Sequence, residues 1–265
     1  MTESFIVLNT KGGVGKTTVA TALAHVYHEQ HDQWPRLVEV DAQRLSTVST
    51  LPVSVCTISP QTGIENLEAD PELAAERFGP LYDALVAGDC VVDIGANTAQ
   101  PVLEWANLSG IPDGLMAQGI VPHFLFVTTL ESQSLGAAVN DHTHARRVFG
   151  TAARYSMVFN RAKPADFEPF QGVEISEVLR QAQDDGTDFV YVPNLWGRVF
   201  DHVESRNRLP IDAYREFDSC IAEMGLNLPD ANRQRKRVDD WMQGVRAALA
   251  PVVSRSSAAR TGQAS

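Results

Sequence analysis

The residues that most constrain the fold are NTKGGVGKTT, at positions 9–18. They follow the apolar run SFIVL, which predicts a buried strand, and they open KTTVATALAHVYHEQ (16–30), where Val19, Leu23 and Val26 recur at helical spacing. Glycines allow consecutive backbone N–H groups to turn around an anion, and a helix adds its positive end. The segment therefore predicts a phosphate-binding loop between a strand and a helix.

Strand and helix patterns alternate along most of the chain. Further strands are predicted at 36–41, 51–58, 90–95, 123–129, 154–160 and 188–194, and helices at 71–88, 131–149, 174–183, 211–226 and 231–253. This alternation indicates crossover connections and a mainly parallel sheet in an α/β fold. Ligands of such sheets lie at the carboxyl ends of the strands, where the glycine loop, Asp41, Asp93, Asn160 and Asn194 all fall.

The glycine loop departs from the general phosphate-loop pattern GxxxxGK[ST]. Its last part, Gly15-Lys16-Thr17, fits, but the position five before Gly15 is Thr10 and not glycine. The chemistry still holds: Lys16 would reach the β- and γ-phosphates of a nucleotide, and the Thr17 hydroxyl would bind Mg²⁺.

KGGVGKTT resembles the deviant Walker A motif of the ParA/MinD family of ATPases. The resemblance implies a P-loop NTPase fold, a three-layer α/β/α sandwich with a mainly parallel central sheet. It also implies ATP and Mg²⁺ as cofactors and a homodimer in the ATP state, in which Lys11 reaches phosphates held by the other subunit. The residues implied to hold ATP in the loop are Gly12, Gly13, Val14, Gly15, Lys16, Thr17 and Thr18.

The string EVDAQ (39–43) is similar to the DxDPQ string that ends the second strand in this family. One alignment gives Asp41 the role of the catalytic aspartate that positions the attacking water. A second alignment places Gln43 there, which predicts weak or absent hydrolysis. The first is favoured because it also matches Gln43 to the family's glutamine.

Two further strand ends match the family. CVVDIGAN (90–97) resembles the Walker B strand, so Asp93 is expected to serve Mg²⁺, and its DIGAN string is closest to plasmid proteins of the StbB/TraL type. Asn160 is implied to hydrogen-bond the adenine edge, which suits an amide that both donates and accepts. Pro193 and Asn194 match the second loop on the base side.

Composition limits the possible locations and partners. The chain has 265 residues, a net charge of −11, three widely spaced cysteines without a CxxC pair, and no apolar run near the ~20 residues of a membrane span. With no secretory signal visible, a cytoplasmic protein is expected. Basic residues at 146–163 and at 198–208 could contact DNA phosphates without sequence preference, although solvated helix faces are the favoured explanation.

The predicted domains are an ATPase domain (1–228), a C-terminal amphipathic helix (229–254) and a disordered tail (255–265). An apolar stripe runs along that helix at Val238, Trp241, Met242, Val245, Leu249 and Val252. Such a stripe either docks on its own domain or binds a membrane through residues 231–253, as MinD-type proteins do.

The function that follows is a weak ATPase acting as a dimeric switch, which positions or segregates a cargo. Plasmid DNA is the expected cargo, in partition, stability or conjugation, with non-specific DNA or a DNA-binding protein as partner. The alternatives are a MinD-like membrane-associated ATPase, a nucleotide-dependent adaptor without turnover, and a metabolic ligase or reductase on the same fold.

Overall fold

A computed structural model describes residues 4–40, 51, 55–58, 71–161 and 174–258. Within these residues seven strands form one sheet, in the order β3-β2-β4-β1-β5-β6-β7, and every neighbouring pair is parallel. The strands are β1 (Ser4–Leu8), β2 (Arg36–Val40), β3 (Val55–Ile58), β4 (Cys90–Ile94), β5 (His123–Thr128), β6 (Arg154–Asn160) and β7 (Asp188–Val192). The α/β fold with a parallel sheet is confirmed.

Helices cover both faces of the sheet. They are α1 (Lys16–His31), α2 (Pro71–Ala87), α3 (Ala99–Leu108), α4 (Ile111–Ala117), α5 (Ser132–Phe149), α6 (Glu174–Asp184), α7 (Arg198–Ser205), α8 (Pro210–Arg215), α9 (Phe217–Met224) and α10 (Leu228–Ala258). The sequence patterns did not predict α3, α4 and α7. The helix predicted at 211–226 is two short helices, α8 and α9.

Two apolar cores, one on each face, hold the three layers together. Successive β1 residues alternate between them: Ile6 and Leu8 pack with α2–α5, whereas Phe5 and Val7 pack with α1 and α7–α10. Since both faces are covered, the central strands are continuous apolar runs with no polar face, as parallel sheets require. The three-layer α/β/α sandwich is thereby observed directly.

The C-terminal helix α10 differs from the prediction in its bounds. Its first turn is capped by Asn227, whose Oδ1 accepts a hydrogen bond of 3.0 Å from the Asp230 amide. Pro229 is tolerated there because the first helical turn needs no amide donor at that position. The helix therefore begins at Leu228 instead of 231 and continues to Ala258, past the predicted start of a disordered tail at 255.

The apolar stripe of α10 lies inside the molecule. Each of its six residues is at most 4% exposed, and all six belong to the core shared with α1. This is the docking alternative, in which the apolar face is not available to a bilayer, and membrane binding through residues 231–253 stays a prediction. Among the described residues, no helix is long and apolar enough to cross a membrane.

Replacing a stripe residue should therefore destabilise the whole domain. Met242 is fully buried and its neighbour Gln243 is exposed, which gives a matched pair on one helix. We expect Met242→Ala to lower the free energy of unfolding by about 2 to 5 kcal/mol and Gln243→Ala to change it little. Urea unfolding followed by circular dichroism measures both. Equal stability of the two variants would contradict the packing of α10.

Candidate nucleotide-binding site

The glycine loop connects the end of β1 to the start of α1. Gly13 and Gly15 have φ values of +76° and +90°, which residues with a side chain rarely adopt. A Cβ at Gly12 or Gly13 would meet no atom within 4 Å, so this part of the loop backbone faces open space. Within the described chain, no side chain caps the first turn of α1. Open backbone and an uncapped helix start suit an anion.

The loop borders a cavity of about 360 Å³, which is within the usual size of small-molecule sites. The lining residues are Gly12, Gly13, Gly15, Lys16, Thr17, Thr18, Glu39, Asp93, Gly95, Ala96 and Arg161. The cavity combines a basic side at the loop with an acidic side at the ends of β2 and β4. A phosphate chain with a divalent cation matches this distribution of charge.

The acidic side has the oxygen donors that Mg²⁺ prefers. The Thr17 hydroxyl donates a hydrogen bond of 2.6 Å to Asp93 Oδ2, so both oxygens lie within reach of a common cation. Glu39 is paired with Asp93 across β2 and β4, and the two side chains are only 6% and 8% exposed. These residues fit a magnesium ion bound next to phosphate.

The two lysines of the loop point to different places. Lys16 is 9% exposed and lines the cavity, and its Nζ donates to the Lys11 carbonyl at 3.1 Å. Lys11 is exposed and does not line the cavity; its Nζ donates to Gln133 Oε1 at 3.3 Å. Lys16 can therefore serve a nucleotide in its own subunit, and Lys11 is directed elsewhere.

Asn160 supports the loop from β6. Its Nδ2 donates to the Val14 carbonyl at 2.9 Å, and a Cβ at Gly15 would lie 2.1 Å from that nitrogen. Gly15 must therefore lack a side chain for Asn160 to approach. Asn160 is 5% exposed. Its predicted contact with adenine stays a prediction, since one amide can brace the loop and still present its oxygen.

The base-side loop lies next to α10. Pro193 and Asn194 line a cavity of about 220 Å³ together with Trp196, Arg237 and Trp241. The Asn194 Oδ1 accepts from the Leu195 amide at 2.9 Å, which shapes the loop locally. Because β6 and β7 are adjacent and parallel, this loop lies at the same sheet edge as Asn160.

Asp41 and Gln43 lie outside the described residues, so the choice between the two catalytic alignments stays open. Glu39, two positions earlier, does lie at the site. Sequence reasoning did not select the other acidic-side residues, Gly95 and Ala96, nor Arg161. Their only signal is position, since Gly95 and Arg161 directly follow strands that end at this edge and Ala96 comes one residue later.

Three of the arginines proposed for DNA form ion pairs with acidic side chains of the domain. Arg161 pairs with Glu204 at 3.3 Å, and Arg206 pairs with Glu223 at 3.0 Å. Arg208 contacts Glu216. Lys163 lies outside the described residues, whereas Arg147 is exposed on α5. At these positions the structure favours paired helix faces over a continuous basic surface.

Comparison with known proteins found similar solved structures. Three similar solved structures are a MinC:MinD cell division complex from Aquifex aeolicus, a ParA family ATPase from Chlorobium tepidum TLS and a plasmid partition protein from Borrelia burgdorferi. Their sequence identities are 13%, 16% and 14%, and their TM-scores are 0.46, 0.46 and 0.40. The alignments cover 86%, 92% and 73% of this chain and 97%, 99% and 91% of the others.

No curated protein sequence matches the chain significantly. A model of the CobQ/CobB/MinD/ParA nucleotide-binding domain, however, matches residues 5–216, which include most of β1, all of α8 and every residue that lines the cavity. The chain therefore belongs to the CobQ/CobB/MinD/ParA family of nucleotide-binding domains.

Proposed function

We propose that this protein is a cytoplasmic ATPase with slow turnover, which dimerises around ATP and positions or segregates a cargo. The observation that carries the proposal is the Thr17–Asp93 hydrogen bond of 2.6 Å beside Lys16, in a cavity bordered by the glycine loop. A Mg·ATP complex requires a hydroxyl and a carboxylate for Mg²⁺ and an ammonium group for the phosphates.

Each residue of the loop has a defined part in this proposal. The backbone of Gly12–Thr18 surrounds the phosphates, and Lys16 places its ammonium group on the β- and γ-phosphates. Thr17 and Asp93 hold Mg²⁺, with Glu39 as a neighbouring carboxylate. Mg²⁺, when bound, neutralises charge on the phosphate oxygens. Asn160, Pro193 and Asn194 bind the base.

The exposure of Lys11 supports the dimer. Lys11 lies on the phosphate loop but does not line its own cavity, and its ammonium group has an exposed hydrogen bond to Gln133. Exchange of that hydrogen bond would let it contact a nucleotide from outside. In a face-to-face dimer the Lys11 ammonium group would meet the phosphates bound by the partner subunit. An added cation on the transferring phosphoryl group lowers the barrier, as an arginine finger does.

Plasmid DNA is the cargo that we favour, in partition, stability or conjugation. This choice depends on the DIGAN string and its resemblance to StbB/TraL-type proteins, which stays a prediction. The acid-paired arginines favour a DNA-binding partner protein over direct contact along a broad face. An adaptor that binds ATP without hydrolysis is the second candidate, because Asp41 or Gln43 could occupy the catalytic position.

The first test replaces the lysine in the cavity. We expect Lys16→Ala to weaken ATP binding about 10- to 100-fold, the cost of one charge-assisted hydrogen bond, and to abolish turnover. Lys236→Ala removes an exposed lysine of α10 and serves as a control for charge. Titration calorimetry and phosphate release measure the two effects. If Lys16→Ala bound ATP with wild-type affinity, the proposed site would be wrong.

The same turnover assay can identify the surface that the protein uses. Wild-type protein is assayed with and without non-specific duplex DNA at low salt, where phosphate contacts are strongest. Turnover raised by DNA supports direct DNA contact, and unchanged turnover supports a protein partner. Salt that abolishes the stimulation would confirm its electrostatic origin.

A second prediction separates ATP binding from dimerisation. We expect Lys11→Ala to bind ATP within about threefold of wild type, less than about 0.7 kcal/mol, because Lys11 does not line its own cavity. The variant should nevertheless remain monomeric with Mg²⁺ and a non-hydrolysable ATP analogue, whereas wild type dimerises. Sedimentation velocity measures this. An ATP-dependent dimer of the Lys11 variant would contradict the assigned role.

A third prediction decides between the catalytic alignments. If Asp41 positions the attacking water, Asp41→Asn should reduce turnover at least about 100-fold, as expected for loss of a positioned polar group, while ATP binding persists. Gln43→Ala should then retain most of the turnover. The reverse pattern assigns the position to Gln43, and absence of turnover in the wild type supports the adaptor.

A further inference from the structure

The first half of the glycine loop, residues 9–11, is held by β5 and α5 as well as by Lys16 of α1. Asn9 Nδ2 donates to the Val127 carbonyl at 2.7 Å, and Asn9 Oδ1 accepts from the Lys11 amide at 2.7 Å. The Thr10 amide donates to Asp141 Oδ2 on α5 at 2.7 Å. Gln133, also on α5, accepts from Lys11 Nζ. Thr10 and Lys11 therefore each have one hydrogen bond to α5.

Asp141 is unusual among these contacts because it is a fully buried acid. It is 0% exposed, and burial raises the pKa of its carboxyl above the ordinary value, while the hydrogen bonds from Thr10 and Gln100 act in the opposite direction. A buried carboxylate is costly to the fold. Since α5 already packs through Leu135 and Ala138, the acid is not needed to bury the helix.

A second helix, α3, also contacts the Asp141 carboxylate. Gln100, in the first turn of α3, donates from Nε2 to Asp141 Oδ1 at 3.0 Å, and its Oε1 faces His144 Nδ1 at 3.0 Å. With Gln100 in this orientation, His144 must donate from Nδ1. Asp141 thus has both oxygens satisfied, one by the loop backbone and one by α3, and α3 follows the strand that carries Asp93.

We propose that Asp141 is a positioning residue for Lys11. Asp141 fixes the Thr10 amide, and Gln100 fixes the Asp141 carboxylate. Lys11 is thereby oriented toward the nucleotide of a second subunit. This inference rests on the proposed function, in which Lys11 acts across a dimer. It predicts that the Asp141–Gln100 pair affects dimerisation without affecting the cavity that binds ATP, because Asp141 contacts neither Lys16 nor Thr17 in this network.

An exchange of donor and acceptor tests this arrangement. In Asp141→Asn, the new NH₂ group must face either the Thr10 amide or the Gln100 Nε2, and both are donors. Adding Gln100→Glu supplies an acceptor for that NH₂ group and keeps one for His144, so the double variant restores every hydrogen bond at unchanged net charge. Asn140→Ala, at an exposed neighbouring position on α5, controls for mutation of the helix.

Dimerisation is measured by sedimentation velocity with Mg²⁺ and the non-hydrolysable analogue AMPPNP, and binding by calorimetry. We expect Asp141→Asn to weaken the dimer at least about tenfold and AMPPNP binding less than about threefold, with recovery in the double variant and no effect of Asn140→Ala. Wild-type dimerisation by Asp141→Asn overturns the inference. Loss without recovery, accompanied by lower thermal stability, also overturns it, because it indicates a purely structural role.

A second readout does not require a dimer. The chain has four lysines, so protein labelled with ¹³Cε-lysine gives four NMR signals, and Lys11→Ala assigns one of them. We expect Asp141→Asn to move the Lys11 signal, the double variant to return it, and the signal of exposed Lys236 to stay fixed. If wild-type protein does not dimerise with the ATP analogue, the dimer part of the proposed function is wrong. If the Lys11 signal does not move in Asp141→Asn, this inference is wrong, whether or not the protein dimerises.

Discussion

The site depends on β1 lying in the middle of the parallel sheet, hydrogen-bonded to β4 on one side and β5 on the other. The loop that leaves β1 therefore meets side chains from both neighbours. Asp93 at the end of β4 accepts a hydrogen bond from the Thr17 hydroxyl. On the other side, Asp141 of α5, the helix that follows β5, accepts a hydrogen bond from the Thr10 amide. A strand at the sheet edge could not bring the loop into contact with both.

Close approach of backbone explains why the loop needs its glycines at particular places. Gly15 leaves room for Asn160, which reaches from β6 past β5 to the Val14 carbonyl. Gly12 and Gly13 face open space, and their lack of side chains exposes backbone to the cavity. One glycine thus serves packing and two leave the backbone open to the cavity, although all three are equivalent in the sequence pattern.

The sequence predicted well those features that depend on local periodicity. All seven strands and the longer helices could be predicted, because apolar spacing is set by the two cores. The short helices α3, α4 and α7 were missed. The α10 boundary was misplaced because Asp230 and Asn227 are both good caps, and only the backbone decides between them. Asp141 and Gln100 could not be predicted, since they meet Thr10 only through pairing of distant segments.

The loop can be divided at Gly12 into two functional halves. Residues 12–18, except Val14, line the cavity proposed for the phosphates, whereas Thr10 and Lys11 are hydrogen-bonded to α5, which contacts α3 through Asp141 and Gln100. Lys16 Nζ links the halves, because it donates to the Lys11 carbonyl. A phosphate that draws Lys16 away would release that carbonyl while Asp141 keeps the Thr10 amide fixed. The two lysines can then respond separately to one nucleotide, which is the property that an ATP-dependent dimer requires.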